Sequence, residues 1–171
     1  GEDRASYAHA VVPPIWQTSN FAMPTVAAMR AAVADEYDSH LYTRGNNPTN
    51  AILRAKLAAL EGAEDALVFG SGAAAMAAAV SFGLAAGDHV VAVTKPYTWT
   101  KILLRDHLAR FGVAVAWVDM TDTAAVEAAL TERTRLIVME SPNSMTFEQC
   151  DIAAIAALAR ARGIRTVIDA S

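Results

Sequence analysis

Cysteine is nearly missing from this 171-residue chain: Cys150 stands alone, which excludes an internal disulfide and fits a reducing compartment. The four histidines, His9, His40, His89 and His107, fall on different elements without ligand spacing, and Cys150 joins no set with them, so no metal is expected. No basic run occurs. The net charge of −4 is spread with both signs mixed, which argues against a nucleic acid or polyanion and leaves a small molecule as the expected ligand. The uncharged stretch 66–87 exceeds a membrane span in length. It is nevertheless mostly alanine, is broken by Gly70, Gly72, Gly83 and Gly87, and is flanked by Glu64, Asp65 and Asp88 where basic anchors would be expected. No membrane partner is expected, no signal-peptide pattern is visible, and the expected location is cytoplasmic.

What is present is apolar. A hydrophobic content of 54% against 19% charged excludes disorder and suffices for one domain with a sizeable core. Residues 1–41 read as an irregular N-terminal arm, broken at Pro13-Pro14, with a short helix from Pro24 through Val33. Asn47 caps and Pro48 opens a helix that runs to Glu61 and closes at Gly62, with Ile52, Leu53, Leu57 and Leu60 on one stripe.

Apolar runs then recur at 66–69, 89–93, 114–118, 136–139 and 164–168, separated by helical stretches at 73–85, 98–111, 123–130 and 151–162. These runs lack in/out alternation, so both faces of each strand should be buried. The expected fold is α/β: a mostly parallel sheet with helices on both faces. Ligands of such sheets sit beyond the carboxyl ends of the strands, which directs attention to 70–72, 94–97, Asp119, 140–144 and 169–171.

Gly70-Ser71-Gly72-Ala73-Ala74-Ala75 follows a predicted strand and opens a predicted helix. Free N–H groups and the positive helix end there suit an anion, as in a dinucleotide site or a simple phosphate cup. A dinucleotide site also needs an acidic residue at the end of the next strand, and that strand ends Val93-Thr94-Lys95. A dinucleotide-binding oxidoreductase domain and a purely structural glycine turn remain as alternatives. Asp169 closes the last apolar run, where a carboxylate must be paired or face solvent.

Tyr42-Thr43-Arg44-Gly45-Asn46-Asn47-Pro48-Thr49, Phe69-Gly70-Ser71-Gly72, Tyr97 after Thr94-Lys95-Pro96, Glu140-Ser141-Pro142-Asn143-Ser144, and Asp169 with Ser171 come in one order along the chain. Together they resemble the pyridoxal-phosphate (PLP) enzymes of cysteine and methionine metabolism, the cystathionine γ-synthase, β-lyase and γ-lyase family. The resemblance implies a fold type I large domain over 42–171, and pyridoxal 5'-phosphate as cofactor. It implies that Ser71, Gly72 and Ala73 hold the phosphate, that Tyr97 stacks on the ring near the reacting carbons, that Asp169 pairs with the pyridine nitrogen, and that Ser171 also lies at the cofactor. It implies that Tyr42 and Arg44 reach the phosphate of a neighbouring subunit, in a homodimer or homotetramer; a guanidinium fork suits that task. Ser144 stands where the family usually has an asparagine at the ring hydroxyl, with Asn143 one step early, and Ala170 departs from the usual asparagine.

The implied activity is that of a longer parent: PLP-dependent cleavage or replacement at the β- or γ-carbon of a sulfur amino acid such as cystathionine. The family's Schiff-base lysine, in a Ser-x-Thr-Lys segment well after the aspartate, is absent here; Lys95 and Lys101 read as solvated and Lys56 belongs to a helix. A C-terminal part with that lysine and a small domain is therefore expected in the parent; the resemblance implies that it also supplies the strand that pairs with 66–69, so the isolated 171-residue piece is expected to leave that run unpaired and to be unstable and inactive. A non-catalytic PLP- or phosphate-binding domain is the other reading left open.

Overall fold

The computed structural model describes residues 3–171. They form two compact units divided between Val68 and Phe69.

In the first unit a 3-10 turn, Arg4–Tyr7, and helix α1, Val26–Ala34, interrupt an otherwise irregular path, and an isolated antiparallel bridge joins Asn20 to Tyr42. Helix α2, Pro48–Glu61, has the boundaries its punctuation implies. Asn47 Oδ1 accepts the Thr49 N–H at 2.9 Å, and Gly62 closes the helix at φ 63°. The stripe expected on α2 is not a buried one: Leu53, Leu57 and Leu60 are exposed, and Ala58 is the buried residue. Arg54 pairs with Asp65, lies over the Tyr37 ring, and donates to the Ala66 carbonyl at 2.8 Å.

The second unit opens with helix α3, Gly72–Ser81, and continues as β1 (His89–Val93), α4 (Thr98–Ile102), β2 (Ala114–Val118), α5 (Thr123–Ala128), β3 (Thr134–Glu140), α6 (Ile152–Ala161) and β4 (Arg165–Asp169). All four strands are parallel, in the order β2-β1-β3-β4. Alternate strand residues feed two cores. Val91, Val93, Ile137 and Met139 pack with Val126 of α5 and Ile155 of α6. Val90, Ala92, Leu136 and Val138 pack with Val80 of α3 and with Leu104 and Leu108 beyond α4. Both faces of the central strands are thus covered, as strands without alternation require.

The apolar run 66–69 joins no ladder among the described residues and leaves Leu67, Val68 and Phe69 exposed, as expected of a run without the strand it pairs with in the family. Two expectations about the helices change. Helix α3 stops at Ser81 rather than Ala85: Gly83 takes φ 66°, outside helical geometry, and Arg165 of β4 donates to the Phe82 carbonyl at the helix end. The helical stretch 98–111 changes winding twice after α4, through a π turn at Leu103–His107 and a 3-10 turn at Leu108–Phe111, before Gly112 ends it at φ 79°.

His89 opens β1 with Nδ1 2.9 Å from Thr134 Oγ1, and burial pushes its imidazole below the ordinary 6.5. The unfolded chain therefore binds that proton more readily. The contribution of His89 to stability is complete above pH 6.5 and is lost as pH falls through the lower folded-state value. Urea midpoints measured from about pH 7 to about pH 5 are expected to decline, and His89→Gln is expected to flatten part of that decline.

Candidate active site

The carboxyl ends of β1, β3 and β4 and the start of α3 surround one cavity of about 610 Å³, within the usual size range for a small-molecule site. Ser71, Gly72 and Ala73 line it from the helix start, Tyr97 from the loop after β1, Ser144 from the loop after β3, and Asp169 and Ser171 from the end of β4. Seven residues singled out in this unit from sequence therefore face one space.

Ser71 is the N-cap of α3, and its Oγ accepts the Ala74 N–H at 3.1 Å. Ala75 N–H donates to the Ser71 carbonyl, so the N–H groups of Gly72 and Ala73 are the ones left without an acceptor inside the helix. The Ser71 hydroxyl uses a lone pair in the cap and keeps its hydrogen for another acceptor. A Cβ built on Gly70 or Gly72 would meet nothing within 4 Å, so the turn is open on its outer side. Two backbone donors, one hydroxyl donor and the positive end of a ten-residue helix point to an anion.

Asp169 stands across the cavity as the last residue of β4. Its Oδ1 accepts both the Ser171 N–H at 3.2 Å and the Ser171 hydroxyl at 2.7 Å. Among the described residues no hydrogen bond lands on Oδ2, which keeps acceptor capacity for a donor from a ligand. Ser171 thus orients the carboxylate as well as lining the cavity. Tyr97 precedes α4 and is 46% exposed, so a flat partner can reach its ring.

Sequence reasoning assigned no role to Glu140. It is buried at the end of β3, lines the same cavity, and stands in register with Asp169 on the neighbouring strand. The cue was available: an acidic residue directly follows an apolar strand, as Asp169 does. Met76, Trp99 and Thr100 also line the cavity without having been singled out. Met76 lies one helical turn after Gly72, the only cue it offered. Asn143 is buried and engaged elsewhere: Nδ2 donates to the Lys95 carbonyl at 2.8 Å while Oδ1 accepts the N–H groups of Met145 and Thr146.

Tyr42 and Arg44 belong to the first unit. Both are exposed, and the Arg44 guanidinium lies 5.0 Å from the centre of the Tyr42 ring. Asp88, the nearest acidic residue to β1, precedes that strand and accepts the Ala85 N–H at 2.8 Å, so no carboxylate ends β1 as a ribose site would need.

A doubly covered parallel sheet with the free donors of a helix start and a strand-end carboxylate on one cavity suits a small molecule that is anionic at one end and a proton-bearing base at the other. Known proteins make that class specific. The model of the Cys/Met metabolism PLP-dependent enzyme family matches residues 1–171, and the chain belongs to that family. L-methionine gamma-lyase of Pseudomonas putida is 39% identical over 169 residues, which are 99% of this chain and 42% of that protein. Cystathionine gamma-lyase from Lactobacillus plantarum, solved with L-serine, superposes with a TM-score of 0.87 at 34% identity over 98% of this chain and 41% of that one. A Campylobacter jejuni structure assigned as O-acetylhomoserine (thiol)-lyase carries N'-pyridoxyl-lysine-5'-monophosphate and superposes with a TM-score of 0.89 at 25% identity, over 96% of this chain and 41% of that one. The chain spans about two fifths of the length of these relatives. Its fold is the PLP-dependent fold type I arrangement, and the cofactor of its family is PLP.

The residues present fit that cofactor. A phosphate needs the donors at Ser71, Gly72 and Ala73, and a pyridinium needs a carboxylate acceptor such as Asp169; both line the one cavity. Among the described residues no helix is long and apolar enough to cross a membrane, and no group of three or more His, Cys, Asp or Glu is placed to hold a metal ion.

Proposed function

We propose that the full-length protein is a PLP-dependent carbon–sulfur lyase, or a β- or γ-replacement enzyme, acting on sulfur amino acids such as cystathionine. The observation that carries this reading is the shared cavity of Ser71, Gly72, Ala73 and Asp169 in a chain of this family. The backbone N–H groups of Gly72 and Ala73 and the Ser71 hydroxyl would bind the phosphate. The Tyr97 ring would stack on the pyridine and stand near the reacting carbons, while Ser144 would face the ring hydroxyl. Asp169, oriented by Ser171, would hold a proton on the ring nitrogen. When bound, the cofactor supplies an electron sink for the α-carbon of the substrate. Tyr42 and Arg44 would serve the phosphate of a neighbouring subunit, which makes the working form a homodimer or homotetramer, and the setting proposed is cytoplasmic.

Sodium borohydride reduction of the full-length protein with PLP is the direct test. A lysine-linked phosphopyridoxyl group recovered by peptide mass spectrometry, with keto acid and thiol released from a sulfur amino acid, is the expected result. Reversible PLP binding that reduction does not fix would instead identify a non-catalytic binder, and no PLP binding at all would refute the reading.

A further inference from the structure

Glu140 is 6% exposed, and no lysine or arginine pairs with it among the described residues. A buried carboxylate without a counter-ion must be satisfied by hydrogen bonds. Each of its oxygens has one: Oε2 accepts the Tyr97 N–H at 2.6 Å, and Oε1 accepts the Ser144 N–H at 2.6 Å. A single side chain at the end of β3 thereby ties down the backbone of two residues from two different loops, and both of those residues line the cavity.

The Tyr97 loop has a second tie. Asn143 Nδ2 donates to the Lys95 carbonyl at 2.8 Å, and between the two ties lies Pro96, buried, with no N–H of its own and φ fixed by its ring. The chain is held on both sides of Pro96 by side chains of one segment. This matters because packing holds Tyr97 only in part: the residue is 46% exposed, and no side chain caps α4 at that position. Glu140 also pairs in register with Asp169. Side chains of residues in register on parallel strands leave the sheet on the same face. The clamp on Tyr97 and the carboxylate at β4 are therefore referenced to the same two strands.

We propose that Glu140 is a positioning residue: its carboxylate, aided by Asn143, fixes the backbones of Tyr97 and Ser144 against the Asp169 strand and so sets the slot that receives the pyridine ring. The inference rests on the PLP reading above. Each Glu140 oxygen is engaged by a backbone N–H, so the role proposed for it is exercised through Tyr97 and Ser144. A displacement of about 1 Å in such a positioned group is enough to cost about a hundredfold in rate.

The test uses the full-length protein with PLP bound. Glu140→Gln keeps one acceptor oxygen and turns an amide NH₂ toward the other N–H donor, so one tie is lost without a change in size. It is expected to lower kcat by about ten- to a hundredfold and to weaken the visible circular dichroism per bound PLP by about half, with far-ultraviolet ellipticity unchanged. In a Tyr97→Ala background the same change is expected to cost clearly less, because the ring that one of its two ties positions is gone and only the effect through Ser144 remains. Asn143→Asp removes the donor to Lys95 and keeps the acceptor for Met145 and Thr146; it is expected to shift the same signals in the same direction. Equal losses from Glu140→Gln with and without Tyr97, or wild-type circular dichroism and kcat in Glu140→Gln, would overturn the proposal. Should Glu140→Gln fail to fold, Asn143→Asp decides by the same readouts, and a wild-type signal there overturns it. A wild-type protein that reduction cannot label with PLP refutes the functional reading itself, a result separate from all of these.

Discussion

Asp169→Asn in the full-length protein is expected to lower kcat about a thousandfold while leaving the melting temperature nearly unchanged. A carboxylate about 4 Å from a pyridinium, at an effective dielectric near 20, stabilises the protonated ring by about 4 kcal/mol. Asparagine removes the charge, and a factor of about a thousand corresponds to that energy. The fold has little stake in the change. Asp169 is only partly buried, forms no ion pair among the described residues, and uses Oδ1 to accept from Ser171, an acceptor that an asparagine oxygen reproduces. Stopped-flow turnover and differential scanning calorimetry on the same preparations separate the two effects. Parallel losses of both would mean that Asp169 supports structure rather than chemistry.

Gly72→Asp should weaken cofactor binding at no cost to stability. Gly72 is the first residue of α3, outside the positive-φ region, with nothing within 4 Å of an added Cβ. Replacing this helical glycine by aspartate recovers only about 0.3 kcal/mol of propensity, and an acid in the first turn gains a further fraction of a kcal/mol from the helix dipole. The apo protein is therefore expected to melt no lower, and up to about 2 degrees higher. A phosphate at this helix start would meet a like charge about 5 Å away, which costs about 3 kcal/mol per unit of charge at an effective dielectric of 20. The PLP dissociation constant is expected to rise at least about a hundredfold. Fluorescence titration of PLP beside a thermal melt of the apo form reads both. Undiminished PLP affinity would place the phosphate elsewhere.

Local chemistry made much of this architecture readable. The α2 boundaries follow from Asn47, Pro48 and Gly62, each of which acts on its own neighbours. β1 and β2 coincide with short apolar runs bounded by Gly87-Asp88 and Gly112. Features that depend on distant partners were not readable in the same way. A strand at 66–69 needs a neighbour to ladder with, and composition cannot supply one. The end of α3 is hidden in an alanine run without period, where Gly83 and the distant Arg165 decide it. The leucines of α2 have helical spacing, yet spacing does not say whether anything covers them.

The candidate site divides along the same line. Ser71, Gly72, Ala73 and Asp169 carry their chemistry in position alone: a helix start and a strand end. The role of Glu140 lies in bonds to residues 43 and 4 positions away, and the first of these exists only once β1 and β3 are adjacent. Asn143, one step from the expected place, reads as a displaced ligand in sequence and as a loop tie in the fold.

A crystal structure of the full-length protein with PLP tests the central claim most directly. One PLP molecule is expected to place its phosphate oxygens about 3 Å from the N–H groups of Gly72 and Ala73 and its ring nitrogen about 3 Å from an Asp169 carboxylate oxygen. A phosphate seated at α3 with its ring nitrogen turned away from Asp169, or a PLP bound outside this cavity, would contradict the account.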